Sequence, residues 1–120
     1  MSAAGWTDLP ALARVVERTE SRPEALLLVA LWGARDGWTV EAQHPVGPYR
    51  VDIAIPEARI AVEVDGAEVH ASAAAQDADH ARQNALVAEG WTVLRFGARR
   101  VFCGVGIVAA QVAREGRRRL

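Results

Sequence analysis

Apolar and polar positions alternate over two neighbouring stretches, Tyr49-Arg50-Val51-Asp52-Ile53-Ala54-Ile55 and Ile60-Ala61-Val62-Glu63-Val64-Asp65. A period of two marks half-buried strands. The four residues between them, Pro56-Glu57-Ala58-Arg59, suit a turn, and closing the arms there sets Ile55 opposite Ile60 and Asp52 opposite Glu63. Val51, Ile53, Ile55, Ile60, Val62 and Val64 then share a core face, while Arg50, Asp52, Glu63 and Asp65 share an acidic one.

Elsewhere the period lengthens to that of helices. Asp8 to Arg18 opens on a capping residue, carries Pro10 in its first turn and sets Leu9, Leu12, Val15 and Val16 on one stripe, which predicts a short amphipathic helix. Ser21, with Pro23 just inside, starts a second helix that runs to a stop near Gly37 and is apolar on nearly every side, so it must be largely buried. Trp38 to Gln43 reads as the first strand. Asp77 to Glu89 reads as a helix ended by Gly90, and Trp91 to Phe96 as a fourth strand. Val101, Val105, Val108 and Val112 form the stripe of a last helix, weakened by Gly104 and Gly106. The helix before the fourth strand makes a crossover, which lays that strand parallel to the third. The expected architecture is α/β, a mixed four-stranded sheet flanked by helices. Its parts are a lead-in helix in residues 1–20, the domain proper in 21–115 and a frayed basic tail in 116–120.

At 120 residues, one domain can bury a sufficient core without staples. No apolar run approaches membrane length, no cationic start leads into an apolar stretch, and the lone Cys103 cannot form an internal disulfide. These features point to a soluble protein of a reducing cytoplasm, with no membrane partner. All 14 basic residues are Arg, a bias that suits phosphate and carboxylate recognition and also follows from a GC-rich genome. Arg117, Arg118 and Arg119 make the tail basic, although a net charge of −1 argues mildly against tight nonspecific DNA binding.

The opposed acids of the hairpin carry the candidate chemistry. Like charges directly across a ladder destabilise unless a positive group lies between them. A small hard cation such as Mg²⁺ takes oxygen ligands and would satisfy Asp52 and Glu63. The plainer reading pairs Arg50 with Asp65 and Arg59 with Glu57 on a solvated polar face.

The strand order, a carboxylate on the second strand and Glu63-Val64-Asp65 on the third resemble the restriction-endonuclease fold with its PD-(D/E)XK motif. The run Tyr49-Arg50-Val51-Asp52, then Val62-Glu63-Val64-Asp65-Gly66 with His70, then Asp79-x-x-Arg82, then Gly90-Trp91-Thr92-Val93-Leu94-Arg95-Phe96 is similar to a bacterial domain family related to very-short-patch repair endonucleases. The resemblance covers Ser21 to about Val112. It implies a restriction-endonuclease-like core that acts on DNA, with Mg²⁺ or Mn²⁺ held by Asp52, Glu63 and the Val64 carbonyl. Asp65 departs from the pattern, occupying the place of the motif's lysine in a chain that has none. Very-short-patch enzymes also lack that lysine, and the match at His70 implies a histidine that orients or deprotonates the water, a task its near-neutral pKa permits. A plain loop histidine is the alternative.

Four more residues have two readings each. Glu24 completes a Ser21-x-x-Glu24 capping box, yet in this fold an acid on the first core helix often completes the metal site. Gln43 either lines the cleft or is merely exposed. Arg82 either binds phosphate or pairs with Asp79 on its own helix, and Arg95 faces a sheet surface where it meets the acidic site or DNA. The catalytic candidates are therefore Asp52, Glu63, Asp65 and His70. The nucleic-acid candidates are Gln43, Arg82, Arg95 and Arg117 to Arg119. The resemblance implies a metal-dependent endonuclease or nickase, against a nuclease-fold module that binds nucleic acid or a protein without cutting, with a second copy or a fused domain as a further partner.

Overall fold

The computed structural model describes residues 3–66 and 72–120. The chain runs α1 (Leu9–Val16), α2 (Arg22–Gly33), β1 (Glu41–Val46), β2 (Tyr49–Ile55), β3 (Ile60–Asp65), α3 (Ala73–Ala88), β4 (Thr92–Gly97) and α4 (Ala98–Arg119), with turns of 3-10 helix at Ala3–Trp6 and Pro56–Ala58. The strands form one sheet in the order β1-β2-β3-β4. β1, β2 and β3 are antiparallel in turn, and β4 lies parallel to β3 because α3 carries the chain back across the sheet. Arg59, in the left-handed region at φ 49°, closes the β2–β3 turn with Ile55 opposite Ile60.

Both faces of the sheet are covered. On one, Ile53, Ile55, Ile60 and Val62 pack with Leu27, Leu28, Leu31 and Trp32 of α2 and with Val101, Val108, Val112 and Ala113 of α4. α1 adds Leu12, Val15 and Val16 to the edge of that core, so the lead-in helix is packed on the domain. On the other face Val51, Ala54, Ala61 and Leu86 form a smaller cluster beneath α3. Alanine at 54 and 61 leaves room for the helix to approach, and Leu86 is the one buried residue of α3. The expected acidic face is thus largely an apolar seat for α3. Val51, which alternation assigns to the face of Ile53 and Ile55, packs on the α3 side instead.

Several boundaries move for local reasons. Asp8 sits in the left-handed region and makes no side-chain cap, so α1 starts at Leu9 without one. α2 stops at Gly33 and leaves Leu26 exposed, so its apolar circumference is only partly buried. Trp38 and Val40 are buried on the approach to β1, which begins at Glu41. The Ser72 hydroxyl caps α3 by accepting the Ala75 N–H at 3.1 Å, earlier than the predicted start. At the far end the basic tail is helical and not frayed: α4 bends at Gly104 and continues to Arg119. Glu115 pairs with Arg118 and Arg119 one turn on, at 3.0 Å each, and cations suit the negative end of the helix dipole. No helix among the described residues is long and apolar enough to cross a membrane.

Leu86 fastens α3 to the sheet. Leu86→Ala should cost about 2–4 kcal/mol in urea unfolding, because the two alanines beneath it cannot swell to fill the cavity. A loss under about 1 kcal/mol would mean that α3 is held by its polar contacts instead.

Candidate active site

Both ladders of β2 are interrupted at Asp52. The β1–β2 pairing joins Ala42 to Ile53 and His44 to Val51 and skips the intervening Gln43 and Asp52. The β2–β3 pairing runs from Ile55↔Ile60 only as far as Ile53↔Val62. Asp52 and Glu63 therefore meet as expected, but not as a ladder pair. The Asp52 carboxylate accepts the Val64 N–H at 2.9 Å, and the Asp52 N–H points to the Glu63 carboxylate at 3.4 Å. Side chains thus replace backbone partners where the strands part. On β1 the break takes the form of a left-handed Gln43 at φ 50°, a conformation costing a non-glycine residue about 1–2 kcal/mol. The Gln43 amide donates to Glu24 Oε1 at 2.8 Å and ties the kinked strand to α2. Gln43 lines the cluster.

Glu24 caps its helix with one carboxylate oxygen and meets Gln43 with the other. Its Oε2 accepts from the Ser21 hydroxyl at 3.1 Å and from the Glu20 N–H at 3.2 Å, while the Glu24 N–H donates to Ser21 Oγ at 3.3 Å, closing the capping box. Its Oε1 is left for Gln43. The residue is 4% exposed, and burial, with the charge of Asp52 adding to it, pushes its pKa up.

Glu63 is 5% exposed, and its partner comes from α3, which covers the opposite face of the sheet from α2. Arg82, on α3, donates from Nη2 to Glu63 Oε1 and to the Arg50 carbonyl, the latter at 2.6 Å. The predicted Asp79–Arg82 pair is not formed. Burial raises the Glu63 pKa to about 7 even though the Arg82 hydrogen bond opposes the rise, and the neighbouring Asp52 charge adds to it.

Asp65 is turned elsewhere. Arg95, opposite Glu63 in the β3–β4 register, donates to Asp65 at 2.9 Å, to Asp79 at 2.8 Å and to Gln83 at 3.1 Å, a cluster that bolts α3 to the ends of β3 and β4. The hydrogen bond with Asp65, then that with Asp79, raises the Arg95 pKa. The plainer pairing scheme also fails in detail. Arg50 approaches Glu20 at 3.7 Å, Glu57 accepts from Thr39, and Arg59 donates to the Glu89 carbonyl after α3. Arg18 and Arg50, with Glu20 and Gln43, line a cleft of about 490 Å³ beside Glu24. Sequence reading passed over Arg18 and Arg50 because nothing local distinguishes them from solvated arginines. Arg117 instead lines a cavity with residues 34–38 at the far end of α2 from Glu24, so the carboxyl-terminal arginines are not brought to the acids. His70 lies outside the described residues.

Asp52 sits between Glu24 and Glu63 and raises both their pKa values, so three hard oxygen donors from β2, α2 and β3 share one electrostatic neighbourhood. Their oxygens are held by protein donors, namely the Val64 N–H, Gln43 with Ser21, and Arg82. Among the described residues no three His, Cys, Asp or Glu side chains close on a single point. The donor set nevertheless suits a divalent cation, whose charge would relieve the mutual repulsion of the buried acids.

Residues 29–112 match the REase_MTES_1575 family, which is restriction-endonuclease-like. The chain belongs to that family. The matched span holds Asp52, Glu63, Asp65, Arg82 and Arg95 and leaves Glu24 outside. A curated relative, the uncharacterized protein YcjD of Escherichia coli (strain K12), is 42% identical over 77 residues, 64% of this chain; the aligned region spans 63% of YcjD. The fold is similar to that of the homing endonuclease I-Bth0305I catalytic domain, with a TM-score of 0.62 at 18% identity over 80% of this chain and 94% of that one. The matched span thus takes in the whole sheet and α3, with parts of α2 and α4.

The raised pKa of Glu63 carries a sign. Folded protein holds the Glu63 proton up to about pH 7 whereas unfolded protein releases it near 4.5, so stability contributed by the protonated acid is lost as pH rises through that window. In EDTA, unfolding free energy should fall by about 1–3 kcal/mol between about pH 5 and pH 8, and Glu63→Gln should flatten the fall. A rise over that range in wild type would show that pairing with Arg82 outweighs burial.

Proposed function

We propose that this chain is a metal-dependent DNA endonuclease or nickase that hydrolyses phosphodiester bonds. The interrupted β2 carries the reading. A strand gives up two ladder positions and holds Gln43 in a strained conformation, and the result is one carboxylate placed between two buried ones. Such a local cost is retained where the geometry has a use.

Asp52, Glu63 and the Val64 carbonyl, with Glu24, are the groups that would hold Mg²⁺ or Mn²⁺. Bound there, the ion would supply an activated water and charge stabilisation at the phosphorus. Gln43 holds Glu24 toward Asp52, and Val64 N–H holds the Asp52 carboxylate in place. Arg18 and Arg50 offer phosphate contacts along the cleft. His70, on the segment between β3 and α3, is the proposed base, since an arginine cannot give up a proton at neutral pH. With Asp65 committed to Arg95, the place of the motif lysine supplies no free group, and this favours a second reading: a nuclease-fold module that binds DNA or a protein without cutting it. The reading as a relative of very-short-patch enzymes rests on His70 and the absent lysine. A cytoplasmic location, and a second copy or fused domain as partner, remain part of the same proposal.

Supercoiled plasmid in Mg²⁺ or Mn²⁺ should be nicked or cut by wild type and left intact by Asp52→Ala. His70→Ala should retain metal binding and lose about 10²–10⁴ in rate. Intact supercoiled, mismatched and branched DNA with wild type in both metals would leave the binding-module reading.

Phosphate contacts separate the two arginine groups. Arg50→Gln should lower the slope of log affinity against log salt by about one on duplex DNA, whereas deleting residues 117–120 should change it less, given their distance from the acids. The opposite order would put the DNA path along α4.

A further inference from the structure

The cationic partner of the buried acids is part of the protein. Glu63 is withdrawn from water, and Arg82 reaches it from α3, on the opposite side of the sheet from Glu24. The same Nη2 also donates to the Arg50 carbonyl at 2.6 Å, so the guanidinium spans β2 and β3 at the gap left by the interrupted ladder. Its helix is not free to drift. Asp79 and Gln83, flanking Arg82 on α3, are both bound by Arg95, and Leu86 is buried one turn on. Arg95 itself is committed to Asp65 and Asp79, and Arg50 leans on Glu20.

A guanidinium stays charged at any pH the protein meets, so Arg82 is a fixed positive charge on a carboxylate that the proposed reaction needs for its metal. Two cations beside one buried carboxylate repel each other in a poorly screened site, so each lowers the affinity of Glu63 for the other. Once displaced, the guanidinium keeps its anchor on the carbonyl of Arg50, a residue whose side chain is exposed and positively charged. Its planar fork then matches a phosphate.

We infer that Arg82 is a resident counter-ion of the acidic cluster, competing with a divalent cation for Glu63 and, once it yields that carboxylate, turning to a phosphate of the substrate. The inference rests on the metal-dependent reading of the site, and it makes the unloaded protein a self-neutralised form of the loaded one.

The test uses the full chain and Mn²⁺ alone, titrated calorimetrically without DNA. If Arg82 competes, Arg82→Gln should bind Mn²⁺ about tenfold more tightly than wild type, Arg82→Lys should fall between them, and Asp52→Ala should bind none. A merely structural arginine predicts weaker binding on removal. Equal or weaker affinity in Arg82→Gln, or no binding in any variant, overturns the inference. Should Arg82→Gln not fold, Arg82→Lys against wild type decides in the same way. The phosphate half is read on a short duplex with phosphorothioate linkages. Arg82→Gln should leave its affinity unchanged in EDTA, where the guanidinium is held by Glu63, and weaken it several-fold in saturating Mn²⁺. Equal loss in both conditions overturns that half. Uncut plasmid with tighter Mn²⁺ binding by Arg82→Gln would refute the nuclease reading alone, and cut plasmid with unchanged affinity would refute the counter-ion alone.

Discussion

Everything at the acidic cluster depends on how a sheet can place carboxylates in its own interior. Strands satisfy their backbone by pairing, and a position that pairs on both sides has its side chain stacked over a neighbour, facing a packed helix. β2 escapes this at Asp52 by losing a partner on each side. The freed Val64 N–H is taken by the Asp52 carboxylate, and the Asp52 N–H turns to Glu63, so the gap is lined by side-chain oxygen without abandoning the backbone to a dry environment. The strain of a left-handed Gln43 is the local cost, and its hydrogen bond to Glu24 holds the kink in place.

The helices are arranged around that gap. α2 enters from one side of the sheet with Glu24 at its first turn, where the capping requirement fixes one carboxylate oxygen and leaves the other toward Gln43. α3 enters from the other side with Arg82, and it sits close because Ala54 and Ala61 present almost no bulk. The two apolar clusters therefore serve as the mounts for two side chains of opposite charge. Arg95 completes the arrangement, since its bonds to Asp65, Asp79 and Gln83 resist both sliding and rotation of α3.

Burial governs the electrostatics. An exposed Arg–Glu pair would hold the carboxylate charged, yet Glu63 is pushed toward neutrality because desolvation outweighs the single guanidinium beside it. Asp52 adds repulsion to both Glu24 and Glu63. The cluster is accordingly one in which additional positive charge stabilises and its removal destabilises.

The sequence by itself determined the hairpin, its register through Ile55 and Ile60, the parallel fourth strand, and the nomination of Asp52, Glu63, Glu24 and Gln43. The hairpin, its register and the opposed Asp52 and Glu63 follow from periodicity and turn composition, which act over a few residues, whereas Glu24 and Gln43 were nominated through the resemblance to the nuclease fold. What it left open depended on packing between distant segments. Alternation gives no warning that β2 breaks at Asp52, so Val51 was assigned to the wrong face. Asp79 was the obvious partner for Arg82 three residues along the helix, but α3 docks on Ala54 and Ala61 and thereby aims Arg82 at Glu63, 19 residues away. Arg95 could have met either the acidic site or DNA, and it is the docking of α3 that gives it Asp65 and Asp79 as partners. The basic tail reads as a frayed end because its glycine and arginines have no apolar stripe, yet Gly116 is buried next to Trp38 from the approach to β1, and α4 runs on to Arg119. Charge pairing across the fold is a tertiary property, because a long flexible side chain has several acids within reach and the backbone that presents it decides which one it finds.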